Sequence, residues 1–384
     1  MRPASGCYSG VTMKSAATSP VVKDDVSTPP SSGTGRLLSL DVFRGVTMAA
    51  MVLVNNPGGP DAYAPLHHAR WSGWTFTDTI FPSFLWMVGV ALTLSFAKRR
   101  ANGASRGALL LHAAKRAVIL FAIGLFIYLY PHFDFPHMRI LGVLQRIAIC
   151  YLIAAAVYLF TGVRGQIACI IGVLALYWAL MMYAGGGRFD LDGNFAHAVD
   201  RMVLGVHNYD GRTWDPEGIV STLPAIATAL FGVLTGTILR ARRTIAENAA
   251  AVLSFGVFLV VAGMILNTWM PINKALWTDS FALFMAGLST LGFGVCLWGF
   301  DVRGYRPGWA RAFVMFGQNA IAVYVFSEIL EPTLEITRAQ SHIMHAFLAF
   351  LNPANACLAY ALMNVLACYV VAWYLNRRGW LIRF

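Results

Sequence analysis

The chain has 384 residues, 58% of them hydrophobic and only 12% charged, with a mean hydropathy of +0.60. A soluble domain is usually about one-quarter charged, so there is too little polar surface here to cover a water-soluble globule. The net charge of +11 sits in short loops between apolar runs, where it sets membrane topology and does not mark a nucleic-acid surface.

Residues 1–35 are rich in Ser, Thr, Pro and Gly and are expected to form a disordered cytoplasmic tail. No apolar stretch of signal-peptide type precedes Leu37. Residues 36–384 then read as one transmembrane domain, because apolar runs of about 20 residues recur along them. The expected spans lie near Leu37–Asn55, Thr77–Ala97, Ala108–Tyr130, Ile140–Thr161, Gln166–Ala184, Gly218–Leu239, Ala249–Thr268, Ser280–Phe300, Phe313–Leu330 and Cys357–Leu375. In lipid every backbone polar group must be paired within the segment, which selects helices. The fold class is therefore all-α, a polytopic bundle of about ten transmembrane helices. An amphipathic piece near His342–Leu351 reads as an interfacial or re-entrant helix.

Basic clusters follow the second, sixth and eighth spans and the last one: Lys98–Arg100, Arg240 with Arg242 and Arg243, Arg303 with Arg306 and Arg311, and Arg377–Arg378. The positive-inside rule makes those loops and both termini cytoplasmic. The opposite loops hold most of the His, Asp, Asn and Trp. No internal repeat is visible, which disfavours an inverted-repeat transporter. The six cysteines form no CxxC pair and read as packing residues.

Several polar groups stand out against this apolar background. Asp41 and Arg44 fall in the first two turns of span one, where they suit either function or an interfacial pair. The first extracytoplasmic loop carries Asn55-Asn56-Pro57-Gly58-Gly59, His67-His68-Ala69-Arg70-Trp71-Ser72-Gly73-Trp74 and Asp78. Histidine moves protons near neutral pH, and an asparagine amide suits a developing oxyanion; the bland alternative is an interfacial loop anchored by tryptophans. Asp215-Pro216-Glu217-Gly218 opens span six, Asn273-Lys274 with Trp277 opens span eight, and Gln318, Asn319, Tyr324 and Glu328 lie in span nine. Each could equally be helix initiation or anchoring. His132, Asp134 and His137 match no strong ligand spacing, so no metal is expected.

Together and in this order, these stretches resemble the heparan-α-glucosaminide N-acetyltransferase family. The resemblance rests on Arg36-Leu37-Leu38-Ser39-Leu40-Asp41-Val42-Phe43-Arg44-Gly45, Val54-Asn55, His68-Ala69-Arg70-Trp71-Ser72-Gly73, Asp78 with Phe81-Pro82, Gly142-Val143-Leu144-Gln145-Arg146, Asp215-Pro216-Glu217-Gly218-Ile219, Pro271-Ile272-Asn273-Lys274 with Trp277, and Asn319 with Tyr324 and Glu328. It implies acetyl transfer from cytosolic acetyl-CoA to the amine of glucosamine or a terminal glucosaminide on the far side of a bacterial inner membrane. His68 matches the family's catalytic histidine and Asn55 a nearby asparagine. Arg44, Arg146, Asp41 and Gln145 would serve the acetyl-CoA site, with the nucleotide at the arginine-rich face. Asp78, Asp215, Glu217, Asn273, Lys274, Asn319 and Glu328 would serve the amino-sugar site. Ser327 departs from the histidine that precedes the glutamate in lysosomal members, and their large lumenal region has no counterpart ahead of Arg36. The expected partners are acetyl-CoA, an amino sugar, the lipid bilayer and a second copy of the chain. The competing function is a secondary transporter of an amino sugar without covalent chemistry.

Overall fold

The computed structural model describes residues 37–241 and 243–381. The chain divides into two units at Gly35 and Arg36; the tail expected at 1–35 lies outside the described residues. Thirteen α-helices and no strand are found among those residues. They are α1 Leu38–Asn55, α2 Phe76–Ala101, α3 Arg106–Leu129, α4 Val143–Phe160, α5 Val163–Ala179, α6 Phe195–Val203, α7 Thr222–Leu239, α8 Ile245–Leu266, α9 Asp279–Cys296, α10 Ala310–Gln318, α11 Ala320–Ile336, α12 Ala339–Leu348 and α13 Pro353–Arg377.

Among the described residues nine helices, counting the π-helical extensions of α5 and α9, are long and apolar enough to cross a bilayer. The pair α10 and α11, bent by 82° at Asn319, makes a tenth if it is one span. The expected polytopic helical bundle is thus present. The ninth span is broken where Gln318 and Asn319 interrupt the apolar run. The piece near His342–Leu351 is α12, ten residues long and without a buried side chain, too short to cross a hydrocarbon core of about 30 Å.

Local sequence sets the helix ends. Ser105 accepts from the Ala108 amide at the start of α3. Thr244 and Glu247 cap α8 reciprocally, and Asn352 precedes Pro353 at the first position of α13. Each arrangement satisfies N–H groups that a helix start leaves unpaired. Between helices, small residues replace the hydrophobic drive that lipid cannot supply. Gly89 of α2 faces Gly232 of α7; a Cβ on Gly89 would lie 1.9 Å from the Ala229 carbonyl oxygen, and one on Gly232 1.9 Å from that of Trp86. Alanine at either position would force the two helices apart.

The bundle has two chemically different ends. At one, the α1 amides of Leu38 and Ser39 donate to Asp301 beyond α9, and Arg240 beyond α7 donates to Tyr158 of α4. This end carries the arginine clusters. At the other, the long loops 56–75, 130–142, 185–221 and 267–278 dock on one another. Gly73 donates to the Ile272 carbonyl at 2.7 Å, Ile140 to that of His207 at 3.3 Å, and the Trp71 indole to that of Phe189 at 2.8 Å.

Candidate functional site

The loop preceding α2 is folded onto the start of that helix. Thr75 Oγ1 donates to the His67 carbonyl at 2.6 Å, and Thr77 Oγ1 to that of Pro65 at 3.1 Å. Asp78, three residues into α2, reaches back: its Oδ2 accepts from the backbone amides of Thr75 at 2.9 Å and Ala69 at 3.0 Å. Its other oxygen, Oδ1, lies 2.6 Å from His68 Nδ1. Asp78 is 1% exposed and the His68 side chain 53% exposed, so a buried carboxylate holds an accessible imidazole. With Nδ1 donating to Asp78, Nε2 is left as the ring's lone-pair atom. His67 points back into its own loop, 3.0 Å from the Ala62 carbonyl.

Lys274 closes the other side of the ring. Its Nζ lies 3.2 Å from His68 Nε2, 3.1 Å from Nδ1 and 3.9 Å from Asp78 Oδ1. The turn presenting it is rigid. Asn273 is fully buried; its Oδ1 accepts from the Leu276 amide at 3.0 Å, and its own amide donates to Thr278 Oγ1 at 3.1 Å. Trp277 adopts a left-handed φ of 49°, a strained state for a bulky residue. It is held there by burial against Phe81 and Phe281 and an indole bond to Thr228 at 3.2 Å. Gly73, at φ 101°, supplies the backbone bend that ties the His68 loop to this turn. Burial pushes the Lys274 ammonium below the ordinary lysine range; Glu217 and Asp78 oppose that shift and Arg146 reinforces it.

A second charged cluster adjoins the first. Arg139 grips Asp215 with two bonds, 2.8 and 2.5 Å, and Glu217 with a third at 2.5 Å. Its plane stacks on Tyr128 and Tyr209, with the guanidinium carbon 4.9 and 4.5 Å from their ring centres. Burial alone would raise the Glu217 carboxyl, but Arg139, Arg146 and Lys274 hold it below its ordinary range. Arg146, 1% exposed, donates to Ser221 Oγ at 2.5 Å and the Gly218 carbonyl at 3.2 Å and lies over Trp277 at 5.0 Å. Asp200 completes the group, its Oδ1 accepting from the Ile219 amide at 2.9 Å.

The expected site residues therefore separate into groups. His68, Asp78 and Lys274 meet directly; Arg139 joins Asp215 to Glu217, and Glu217 acts electrostatically on Lys274. Asn55 is exposed and donates to Glu328 at 3.2 Å, so it meets that carboxylate and not His68. Asn319 is buried at the break between α10 and α11. Arg44 donates to the Gly317 carbonyl at 3.2 Å, one turn from buried Asp41.

Four of the expected site residues hold local structure together. Arg146, in the first turn of α4, lies at the His68 end and braces the Gly218 turn there. Gln145, fully buried beside Gly124, goes with it. Both oxygens of Asp78 are engaged by His68 and backbone amides. Asn273 shapes the Lys274 turn from a fully buried position. Arg139 was missed altogether, although a lone arginine among loops rich in carboxylates is a pairing signal. Also missed was the group in which His197 stacks on Trp214 at 4.7 Å with Trp71 edge-on at 5.6 Å. Among the described residues no cluster suited to a metal ion is found.

This is a polytopic helical membrane protein with a histidine–aspartate–lysine cluster at the mouth of its bundle. Residues 36–265, more than half of the chain, match the family model described as "Heparan-alpha-glucosaminide N-acetyltransferase, catalytic", and the chain belongs to that family. The mouse heparan-alpha-glucosaminide N-acetyltransferase is 27% identical over 381 residues, spanning 82% of this chain and 57% of its own length. The human protein of the same name is 28% identical over 359 residues, spanning 77% and 53%. The chain thus spans little more than half the length of these relatives.

Proposed function

We propose that the chain is a transmembrane acetyltransferase that moves the acetyl group of acetyl-CoA to the amine of glucosamine or a terminal glucosaminide. The observation that carries this reading is the His68 imidazole, oriented by buried Asp78 and flanked by Lys274. Acetyl-CoA supplies the activated thioester. A polyanionic nucleotide suits the arginine-rich end, where Arg44 is half-buried, and that end is the cytoplasmic one by the distribution of charge. His68 then lies at the extracytoplasmic mouth of an inner-membrane protein with both termini inside.

His68 acts through Nε2, whose lone pair Asp78 keeps free by holding the proton on Nδ1. Nε2 forms a bond to the acetyl carbon as the carbon–sulfur bond breaks and the thiolate leaves. The free amine of the sugar then forms a bond to the same carbon, the electron pair returns to Nε2, and the surplus amine proton passes to solvent. In each step the carbonyl oxygen gains negative charge, and Lys274 is the cationic donor beside the ring that can meet it. Lys274 must move off Nε2 for attack to occur. Asn55 enters through Glu328, and that pair is placed to hold sugar hydroxyls.

Purified protein should release free thiol from acetyl-CoA when glucosamine is added, with N-acetylglucosamine formed in step. Glucosamine movement across proteoliposomes without thioester cleavage would support the transporter instead.

A further inference from the structure

α3 runs along the outside of the bundle: 28% of its apolar stretch is buried, against 67% for α2. It nevertheless carries Lys115 and Arg116 well inside its 24 residues, about 15 Å along the axis from its first residue. Ionisable groups at such depth are expensive and call for a partner. Side chains on a helix lean toward its N-terminus, so both cations lean toward the arginine-rich end, where α3 begins. Arg116 is steered by α4. Its Nη1 donates to the Tyr151 hydroxyl at 3.4 Å, and its guanidinium carbon lies 5.1 Å from the Tyr151 ring centre. About two turns further along the same face of α4, Tyr158 accepts from Arg240 at 3.2 Å.

These cations lack a counter-ion. Among the described residues neither Lys115 nor Arg116 forms an ion pair, and the buried Nε of Arg116 has no hydrogen-bond partner. The charges acting on neighbouring His112 are all positive: Arg99 at the end of α2, Lys115 and Arg116. Beyond Lys115, toward the bilayer centre, α3 turns an apolar surface outward, with Val118, Ile119 and Phe126 exposed. Unpaired cations at one level and an apolar track below them are complementary to an anion with hydrocarbon tails.

We propose that the cleft between α3 and α4 at the arginine-rich end holds one anionic phospholipid, its phosphate bridged by Lys115 and Arg116 and its acyl chains laid along Val118, Ile119 and Phe126. A nucleotide would match the cations and leave the apolar track bare, whereas a phospholipid matches both. A zwitterionic lipid brings its own cation to the cluster and is the poorer fit. The site lies at the end of the bundle opposite His68 and does not rest on the acetyl-transfer reading.

The test is native mass spectrometry of the full-length protein in detergent, titrated with phosphatidylglycerol or with phosphatidylcholine of the same acyl chains. Phosphatidylglycerol should bind roughly twentyfold more tightly, about fivefold for each of two cations at a leaflet surface. The double variant Lys115→Gln, Arg116→Gln should abolish that preference; glutamine keeps an amide that can still donate to Tyr151. Arg377→Gln, Arg378→Gln removes the same charge elsewhere at that end and should leave the preference intact. Lys115 is exposed, so Lys115→Gln alone tests the site without disturbing the bundle and should leave a preference of about fivefold. No preference in the wild type, an unchanged preference in either Lys115 variant, or equal loss in the two double variants would overturn the proposal. Displacement of bound phosphatidylglycerol by acetyl-CoA would assign the cations to the nucleotide and overturn it too.

Discussion

Replacing Asp78 with asparagine exchanges one oxygen for an NH₂ group, and the hydrogen bonds dictate which one. Oδ2 accepts two backbone amides, from Ala69 and Thr75, whereas the hydrogen bond of Oδ1 is to His68 Nδ1, with Lys274 Nζ 3.9 Å away. The amide therefore keeps its oxygen at the Oδ2 position, since the reverse would set NH₂ against two fixed N–H donors. Its NH₂ then faces His68 Nδ1, which must become the acceptor, so the ring proton moves to Nε2 and the lone pair needed for attack is lost. The start of α2 stays intact, so the melting temperature should change little. A wrong tautomer at a histidine held in this way costs roughly 10³–10⁴-fold in rate, or about 4–5.5 kcal/mol of barrier. Thiol release from saturating acetyl-CoA, with glucosamine acetylation measured in parallel, provides the assay. Asp78→Asn activity within about fivefold of wild type, in a folded protein, would refute the claim that Asp78 sets the His68 tautomer.

Lys274→Met removes the cation 3.2 Å from His68 Nε2 and should lower turnover by roughly 10²–10³-fold, the range for one oxyanion donor; a change below twofold in the same thiol assay would exclude that role. Burial, with Asp215 adding in the same sense, raises the Asp200 carboxyl to about 6 from an ordinary 3.8. The folded state thus keeps a proton that the unfolded chain gives up, and this contribution, present below the unfolded value, is lost as pH rises through about 6. Asp200→Asn, which preserves the acceptor for the Ile219 amide, should raise the melting temperature by a few degrees at pH 7 and by nothing near pH 4. An equal shift at both pH values would contradict the assignment.

How much was legible in the sequence differs between the bundle and the site. Apolar runs of membrane-spanning length are read residue by residue, so the spans could be placed without tertiary information. The break at Asn319 could not, because the apolar residues on both sides mask an 82° turn between two half-helices. His68 stood out as a histidine in a tryptophan-rich loop, yet its partners lie ten and 206 residues away, and only the docking of Gly73 on Ile272 brings the Lys274 turn to it. Asp78 was read from the family resemblance as a sugar-site residue; its capping box with Thr75 emerged only from the structure. Arg146 entered only through the family resemblance, as an acetyl-CoA contact; its stacking on Trp277 and its bond to Ser221, 75 positions away, depend on residues distant in the chain and were not legible. Arg139 escaped because its pairing with Asp215 crosses 76 residues.

The central claim is that His68 carries the acetyl group from acetyl-CoA to an amino sugar. It is tested most directly by acetyl transfer to glucosamine in purified wild-type protein, His68→Ala and His67→Ala, with acetyl-CoA binding followed by thermal stabilisation. The account predicts a loss of about 10²-fold or more in His68→Ala, with acetyl-CoA binding retained and near-normal transfer in His67→Ala, whose side chain faces the Ala62 carbonyl. Near-normal transfer in His68→Ala would contradict it.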